Sequence, residues 1–529
     1  MNTNNQIHMN PNKLKIMKIM NYKILKTLAV SIFMGCSILS TQAQIYVDAA
    51  ATTGDNDGSS WANAYTDLQP ALDAASENAE IRVAAGTYKP TATPDDSTDD
   101  NRKKAFHFNK DLLLKGSYNP VTGIQDFTNR SILSGDFDGD DVITGSGSSL
   151  SISGNSENAY HVLITVNLTT VAQIEGFLIT GGNSNDIISS ISYSGQNFYS
   201  NNGGGMTNLN SSPSIVNTVF SGNTGARGGG MYNLYSSPSV VNTVFRRNIA
   251  AINGGGIYNN NSSPNMVNTL FSGNTGSRGG GMINDSSSPS IINNVFSGNS
   301  AANEGGGMYN GGSSSAPTIY NSVFYGNGAD IKNETSATAT GGNNFSENYA
   351  ETGFTALTAD PFSDSANPIG ADGVWFTTDD GLQPSSATSP ITDEGDATKL
   401  PLDTLDLDGD GDTTKAIPVD ITGRTRIAGT AVDAGAYEHD SAVLSVKNID
   451  SSKLDIYSTG YKTLVISGML NAKTTVNVYN LLGKMIVSET FDKFSTSNTL
   501  DVSRLRTGIY IVEMYNTNHQ VQTKKLFIH

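Results

Sequence analysis

A glycine triplet recurs five times along this chain, starting at Gly203, Gly228, Gly254, Gly279 and Gly305, at spacings of 25 or 26 residues. Each triplet is followed by Met206, Met231, Ile257, Met282 or Met308, and two residues later by Asn208, Asn233, Asn259, Asn284 or Asn310. A proline comes next (Pro213, Pro238, Pro264, Pro289, Pro317), then a run ending in Phe220, Phe245, Phe271, Phe296 or Phe324. Three residues beyond each Phe stands a second Asn: Asn223, Asn248, Asn274, Asn299 or Asn327. Five registered copies restrict the chain to a solenoid or a related array. A helical repeat is excluded, because each unit carries a glycine triplet and a proline. A leucine-rich repeat is excluded by the missing leucine ladder. What remains are short β-prone pieces, such as 214–220 (Ser-Ile-Val-Asn-Thr-Val-Phe), set between turn residues.

About 25 residues at roughly 3.3 Å each give a coil perimeter near 80 Å, enough for three short strands per turn. Coils then stack about 4.8 Å apart, and equivalent Asn side chains fall over one another as hydrogen-bonded ladders. The spacing therefore predicts an all-β fold: a right-handed parallel β-helix with three-strand coils of about 25 residues, followed by a small C-terminal β-sandwich. Strict alternation within 214–220 puts Ile215, Asn217 and Val219 on one face and Val216, Thr218 and Phe220 on the other. It leaves open which face is inside. Residues 81–83 and 174–179 read as degenerate strands of earlier coils. An open solenoid end needs a cover. Leu68, Ala71, Leu72 and Ala75 have the spacing of a short amphipathic helix, with Pro70 tolerated in its first turn, and form the candidate cap.

The first 43 residues differ from the rest. Lys13, Lys15, Lys18, Lys23 and Lys26 precede an apolar run over 27–39 that is too short to span a bilayer as a mature helix. Small residues follow at 41–43, so residues 1–43 read as a secretory signal peptide; an uncleaved anchor is the alternative. Its removal takes formal net charge from −17 to −22 and removes Cys36, the sole cysteine. An exported chain without a disulfide depends on backbone ladders, packing or bound ions. So acidic a protein repels phosphates and is no nucleic-acid binder. The remaining boundaries are 44–350 for the β-helix with its cap, 351–443 for a closing region with an acidic loop, and 444–529 for a separate β-sandwich.

Several stretches resemble known families. Residues 45–48 (Ile-Tyr-Val-Asp) through Trp61, with 84–90 (Ala-Ala-Gly-Thr-Tyr-Lys-Pro), resemble the entry of pectin-lyase-like β-helices in Bacteroidota surface proteins. The alternation of Phe220-Ser-Gly-Asn223 with Gly229-Gly230-Met231 is similar to the polymorphic outer-membrane adhesins of chlamydiae. Residues 367–438 resemble a choice-of-anchor closing region, through 370–373 (Gly-Ala-Asp-Gly), 379–381 (Asp-Asp-Gly), 389–391 (Ser-Pro-Ile) and 433–438 (Asp-Ala-Gly-Ala-Tyr-Glu). The tail resembles the type A sorting domain of the type IX secretion system, through 478–484, 500–505, 508–512 and the basic-apolar end 524–528. That last resemblance implies the type IX secretion machinery as a partner and a place outside the cell, released or attached to the outer-membrane surface.

Chemistry is sparse in the repeat. Between 201 and 330 the acids are Asp285, Glu304 and Asp330 and the bases Arg227, Arg246, Arg247 and Arg278, with no Lys or His. No pair of carboxylates of the kind glycosidases use stands out there. Two loops alternate carboxylates with glycines in the way that oxygen ligands wrap a hard cation such as Ca²⁺. The first holds Asp406, Asp408, Asp410 and Asp412; the second holds Asp136, Asp138 and Asp140. His161 or Lys115 beside the second loop would give it a catalytic reading; packing of His161 is the plainer one. Trp61 and Trp375 are candidates to stack on sugar, or to plug turns. The expectation is a non-catalytic, adhesin-like surface or secreted protein that binds glycans or a neighbouring cell. A polysaccharide lyase or glycosidase on the same fold, and a structural envelope component, are the alternatives.

Overall fold

Every regular unit makes strands where β-branched and aromatic residues cluster and bends where Gly and Asn fall. A computed structural model describes residues 44–439, apart from 98–99, 187–188 and 313, and residues 455–528 apart from 460–462, 468–472, 481–482, 493–496 and 517–520. The expected leader, residues 1–43, lies outside the described residues. The chain divides into two compact units, with the division after His439.

The first unit is a right-handed parallel β-helix. Three parallel sheets run along it: ten strands from Gln44–Val47 to Thr340–Gly342, ten from Gly86–Tyr88 to Phe354–Ala356, and eight from Phe106–Phe108 to Ile331–Asn333. A fourth sheet of five strands, from Asn183–Ser184 to Ser300–Glu304, runs beside them. One regular coil thus reads Met206–Leu209, Ser214–Val216, Val219–Ser221 and Thr224–Arg227. Each strand pairs with its equivalent one coil on: Asn208 with Asn233, Ile215 with Val240, Phe220 with Phe245. The five glycine triplets therefore stack in adjacent coils. The first glycine of each has φ between 60° and 77°, a conformation that glycine adopts without penalty.

Register turns repeated residues into ladders. Asn208 donates to Asn233 at 2.8 Å, Asn233 to Asn259 at 2.9 Å, Asn259 to Asn284 at 2.9 Å and Asn284 to Asn310 at 2.8 Å. A second ladder runs from Asn223 through Asn248, Asn274 and Asn299 to Asn327, at 2.8–3.1 Å. Its amides also donate to the carbonyls of Phe220, Phe245, Phe271 and Phe296 at 2.8–3.0 Å. These Asn side chains are buried, so an unpaired amide would be costly, and stacking in register satisfies them. The phenylalanines stack nearly parallel, with centroids 4.5–5.1 Å apart from Phe220 to Phe324. With Met231, Val240 and their equivalents they fill the inside of the coil.

The alternation expected across 214–220 fails at Asn217. This residue and its equivalents Asn242, Asn268, Asn293 and Asn321 hold φ of 47–56°, the left-handed region that Asn tolerates best among residues with a side chain. The bend separates two sheets and restarts the alternation. Ile215 and Phe220 therefore both point into the main core, while Val219 joins a different cluster.

That second cluster explains residues 351–439. Val219, Val244, Leu270, Val295 and Val323 form a row on the outside of the second sheet, covered by Phe362, Trp375, Leu382, Ile391, Ala434 and Tyr437. Beside it Val241 and Val267 are covered by Ile417, Leu405 and Leu407. The segment is a strap, almost without regular strands, laid along the coils. Its turns are tied by Asp420, Asp433 and Asp393 accepting backbone N–H groups, and by Arg426 buried beside Glu438 at 3.4 Å. At the other end of the helix Leu68–Ala74 forms an α-helix, N-capped by Asp67. Leu68, Ala71 and Leu72 enter the main core beside Val47, Ile81 and Phe106 of the first coils.

The second unit is a β-sandwich. One antiparallel sheet joins Asp455–Thr459, Thr463–Ser467 and Ser497–Asp501. The other orders Met485–Phe491, Thr474–Tyr479, Gly508–Asn516 and Val521–Ile528. Leu464, Ile466, Val476, Leu500, Val512 and Ile528 form their shared core.

The packing sets a test. Phe271→Ala removes one ring from the middle of the inner stack and is expected to cost about 3–5 kcal/mol. Asn265→Ala, on the exposed face of the same coil, should stay within about 0.5 kcal/mol. Denaturant unfolding monitored by circular dichroism checks both; equal effects would mean that the phenylalanines are not the core.

Candidate functional site

The described residues gather polar chemistry at three places on the first unit. The loop 406–412 curls through Asp406, Gly409 and Gly411, all at positive φ. Carboxylate oxygens of Asp406, Asp408 and Asp410 come within 4.8 Å of one another. Asp412 is not among them: its Oδ1 accepts from the amide and hydroxyl of Thr414 at 2.9 and 2.7 Å. Lys415, not singled out in the sequence, occupies the centre of charge. Its Nζ lies 2.6 Å from Asp408 and 2.5 Å from Asp410, and its hydrogen bond holds the Asp410 carboxyl below its ordinary value. Repulsion among these carboxylates is thus already relieved by an internal cation.

The loop after the strand Ser131–Ser134 is different. Asp136 and Asp140 approach Glu157 to within 4.8 Å, while Asp138 stands outside this group. Asp136 caps the loop, accepting from Gly139 at 2.5 Å and from Asp141 at 3.3 Å. Burial, and then the nearby charges of Asp136, Glu157 and Asp140, raise the Asp141 carboxyl to about 6 against the hydrogen bond from Asn158. Asp141 Oδ1, Glu157 Oε1 and Asn158 Oδ1 are sealed from solvent and receive no hydrogen bond. Three acceptors without a donor are a costly arrangement that a hard cation would relieve. Neither side chain proposed as a catalytic companion joins the loop. His161 is buried, with Nδ1 2.9 Å from the Gly203 carbonyl and its ring edge-on to Phe198, and burial lowers it to about 4. Lys115 faces Glu80 within the first sheet, whereas this loop follows a strand of the second.

The third place is the outer wall of the first coils. In the first sheet Tyr46, Arg82, Lys115 and Glu175 follow one another in register, one per coil. Arg82 Nε bonds Glu80 at 2.5 Å, and Lys115 lies 3.8 Å from the same carboxylate. The Arg82 guanidinium sits 5.2 Å over the Tyr118 ring. Trp61 completes the group, 4.9 Å from Tyr46 and 6.0 Å from Tyr118. Glu175 accepts from Gln173 at 3.0 Å and Asn217 at 3.3 Å; burial raises its carboxyl despite Lys115. From the next coil onward the same row reads Val216, Val241, Val267. A sequence signal was present: each of these charged residues directly follows an inward aliphatic, Ile81, Leu114 or Ile174.

The regular coils carry no comparable group. Asp285 accepts from Tyr258, Glu304 pairs with Lys332 at 2.9 Å, and Asp330 is buried with Asn327 and Ser346 on its two oxygens. Arg227 and Arg278 lie on equivalent strands two coils apart, with Arg278 5.5 Å over the Tyr309 ring. Among the described residues no helix is long and apolar enough to cross a membrane.

Residues 458–529 match the family described as a secretion system C-terminal sorting domain. No curated protein shows significant similarity to the chain. The match marks an exported protein, secreted or attached to the outer-membrane cell surface, and implies contact with the type IX secretion machinery.

Proposed function

We propose that this exported protein is a non-catalytic, adhesin-like binding protein whose first coils hold a glycan on their outer wall. The observation that carries the reading is the group of Trp61, Tyr46 and Tyr118 beside Arg82 and Lys115. Aromatic faces suit the apolar faces of sugar rings, and the flanking cations and carboxylates supply directional hydrogen bonds. The similarity of the repeat to adhesins and of the entry to pectin-lyase-like proteins supports it. A glycan array on the purified protein is expected to return specific ligands. Trp61→Ala and Arg82→Gln should each weaken them at least about tenfold, or roughly 1.4 kcal/mol. Ligands unaffected by either change would contradict the assignment, and an empty array would favour a structural envelope role.

One observation favours a second reading, a lyase or glycosidase at the same wall: a half-buried carboxyl, Glu175, is raised above its ordinary value by desolvation, beside Lys115 and near Glu80. Such shifts accompany acid–base roles but also structural ion networks. Depolymerisation of a uronate polymer that is lost in Glu175→Gln would support this reading over simple binding.

We further propose a structural Ca²⁺ ion at Asp136, Asp140 and Glu157, whose carboxylate oxygens lie within 4.8 Å of one another and of which Glu157 Oε1 is sealed without a donor. At Asp406, Asp408 and Asp410 the ion competes with Lys415. Binding to the folded state alone adds about 2.7 kcal/mol at a hundredfold excess over Kd. Ca²⁺ should therefore raise the melting temperature over that in chelator, and Glu157→Gln should remove most of the rise. Lys415→Gln should make loop 406–412 bind more tightly. Identical melting in Ca²⁺ and chelator for all three proteins would leave both loops without an ion.

A further inference from the structure

The strap crosses the outer face of the second sheet over a half-open pocket of about 260 Å³. Its floor includes Val219 and Arg246, its roof Ile369, Val374 and Trp375, and its side Phe127 and Arg130. Arg246 breaks the repeat. Its register neighbours on either side, Ser221 and Ser272, are serines, and the coil after has Ser297. A cation has thus replaced a small polar residue on a coil that faces Trp375, whose ring lies 5.4 Å from the Arg246 guanidinium.

Neither arginine has a carboxylate partner among the described residues. Arg130 spends Nη1 on the Asn217 carbonyl at 2.7 Å, and its guanidinium packs 4.6 Å over the Phe376 ring. Its Nη2 is sealed and makes no hydrogen bond; Trp375 Nε1 is in the same state. Asp380 is the acid that acts on Arg246, but it forms no ion pair: its Oδ2 accepts from Phe376, Thr377 and Tyr437. Burial, helped by the charge of Arg247 and opposed by that of Asp380, pushes Arg246 down to about 10, and burial alone lowers Arg130 to about 9. Two confined cations with no carboxylate bonded to either are unfavourable as they stand, and a ligand carrying acceptors and negative charge would compensate them. Guanidinium groups suit a carboxylate, which they can grip with paired N–H donors. The remaining walls are mostly apolar and aromatic, with the hydroxyls of Thr128 and Ser221 among them, a mixed lining that suits a sugar ring better than a bare hydrated ion.

We propose that Arg130 and Arg246 bind a carboxylate-bearing sugar of an acidic polysaccharide, with its ring against Trp375. The sugar part rests on the glycan-binding reading above; the anion part rests on the arginines alone. The volume lies just below the range typical of drug-sized ligands, which fits one sugar residue of a longer chain.

The two tryptophans of the chain, Trp61 and Trp375, fall one at each proposed site, so fluorescence separates them. In the full chain carrying Trp61→Phe, Trp375 alone reports. Titration with trigalacturonate is expected to give a saturable change, and neutral galactotriose none. Adding Arg246→Ser, the residue that neighbouring coils use and therefore compatible with folding, should weaken trigalacturonate at least tenfold. Loss of response in Arg130→Gln together with Arg246→Ser would support the assignment further. A Trp375 response to sodium sulfate as strong as to trigalacturonate would overturn the sugar part. No response to any of the three, or one unchanged by Arg246→Ser, would overturn the whole. The wall reading is separate: array ligands lost in Trp61→Ala while trigalacturonate leaves Trp375 unmoved would sustain the wall and reject the pocket.

Discussion

A buried amide ladder holds this molecule in register, and the rest depends on it. Asn208 and its equivalents lie inside the coil, where each side chain has an acceptor and a donor to satisfy. From Asn233 onward the same residue one coil away on either side meets both demands, and at the first rung the Thr165 hydroxyl donates to Asn208. A slip of one residue would put the Asn208 amide against Tyr232 or Leu234 and leave hydrogen bonds unmade along the column. The same register brings Phe over Phe and serine hydroxyl over serine amide, as where Ser211 N–H donates to Ser236 Oγ at 2.9 Å. Without disulfides in the described residues, cohesion comes from this repetition.

Register also decides what the outside can be. With inner positions committed to Met, Ile, Val, Phe and Asn, outward positions are free to vary. Over the regular coils they form apolar rows that the strap covers through Phe362, Leu382 and Tyr437. On the first coils the row turns to Tyr46, Arg82, Lys115 and Glu175, outside the apolar rows that the strap covers. Chemistry thus gathers where repetition lapses: at the irregular first coils, and at Arg246, where one coil departs from its neighbours.

The sequence carried the solenoid because five copies spaced 25 or 26 residues apart leave few other solutions, and the β-sandwich because its strands alternate plainly. It misled at Asn217, since a period of two holds only within one strand and the left-handed bend ends the strand. The charged wall was hidden because Arg82, Lys115 and Glu175 are separated by 33 and 60 residues and come together only through coils of irregular length. Glu157 was missed for the same reason: a hairpin, Val142–Thr144 with Ser151–Ser153, intervenes between it and Asp136. In loop 406–412 the spacing of aspartates was legible, but not the role of Lys415, which folds back among them and changes what the loop needs. Asp138 and Asp412 have the right sequence spacing and the wrong side-chain direction.

The account stands or falls on register, and a pair of introduced cysteines reads register directly. Asn265 and Ser290 are partners in adjacent coils on the outer face; Asn265 and Thr318 are two coils apart. Neighbouring strands about 4.8 Å apart are within disulfide reach, and strands at twice that distance are not. In the chain with Cys36 replaced, Asn265→Cys with Ser290→Cys should cross-link on mild oxidation, and Asn265→Cys with Thr318→Cys should not. A bond in the second pair, or none in the first, would contradict the stacked coils from which every site described above is built.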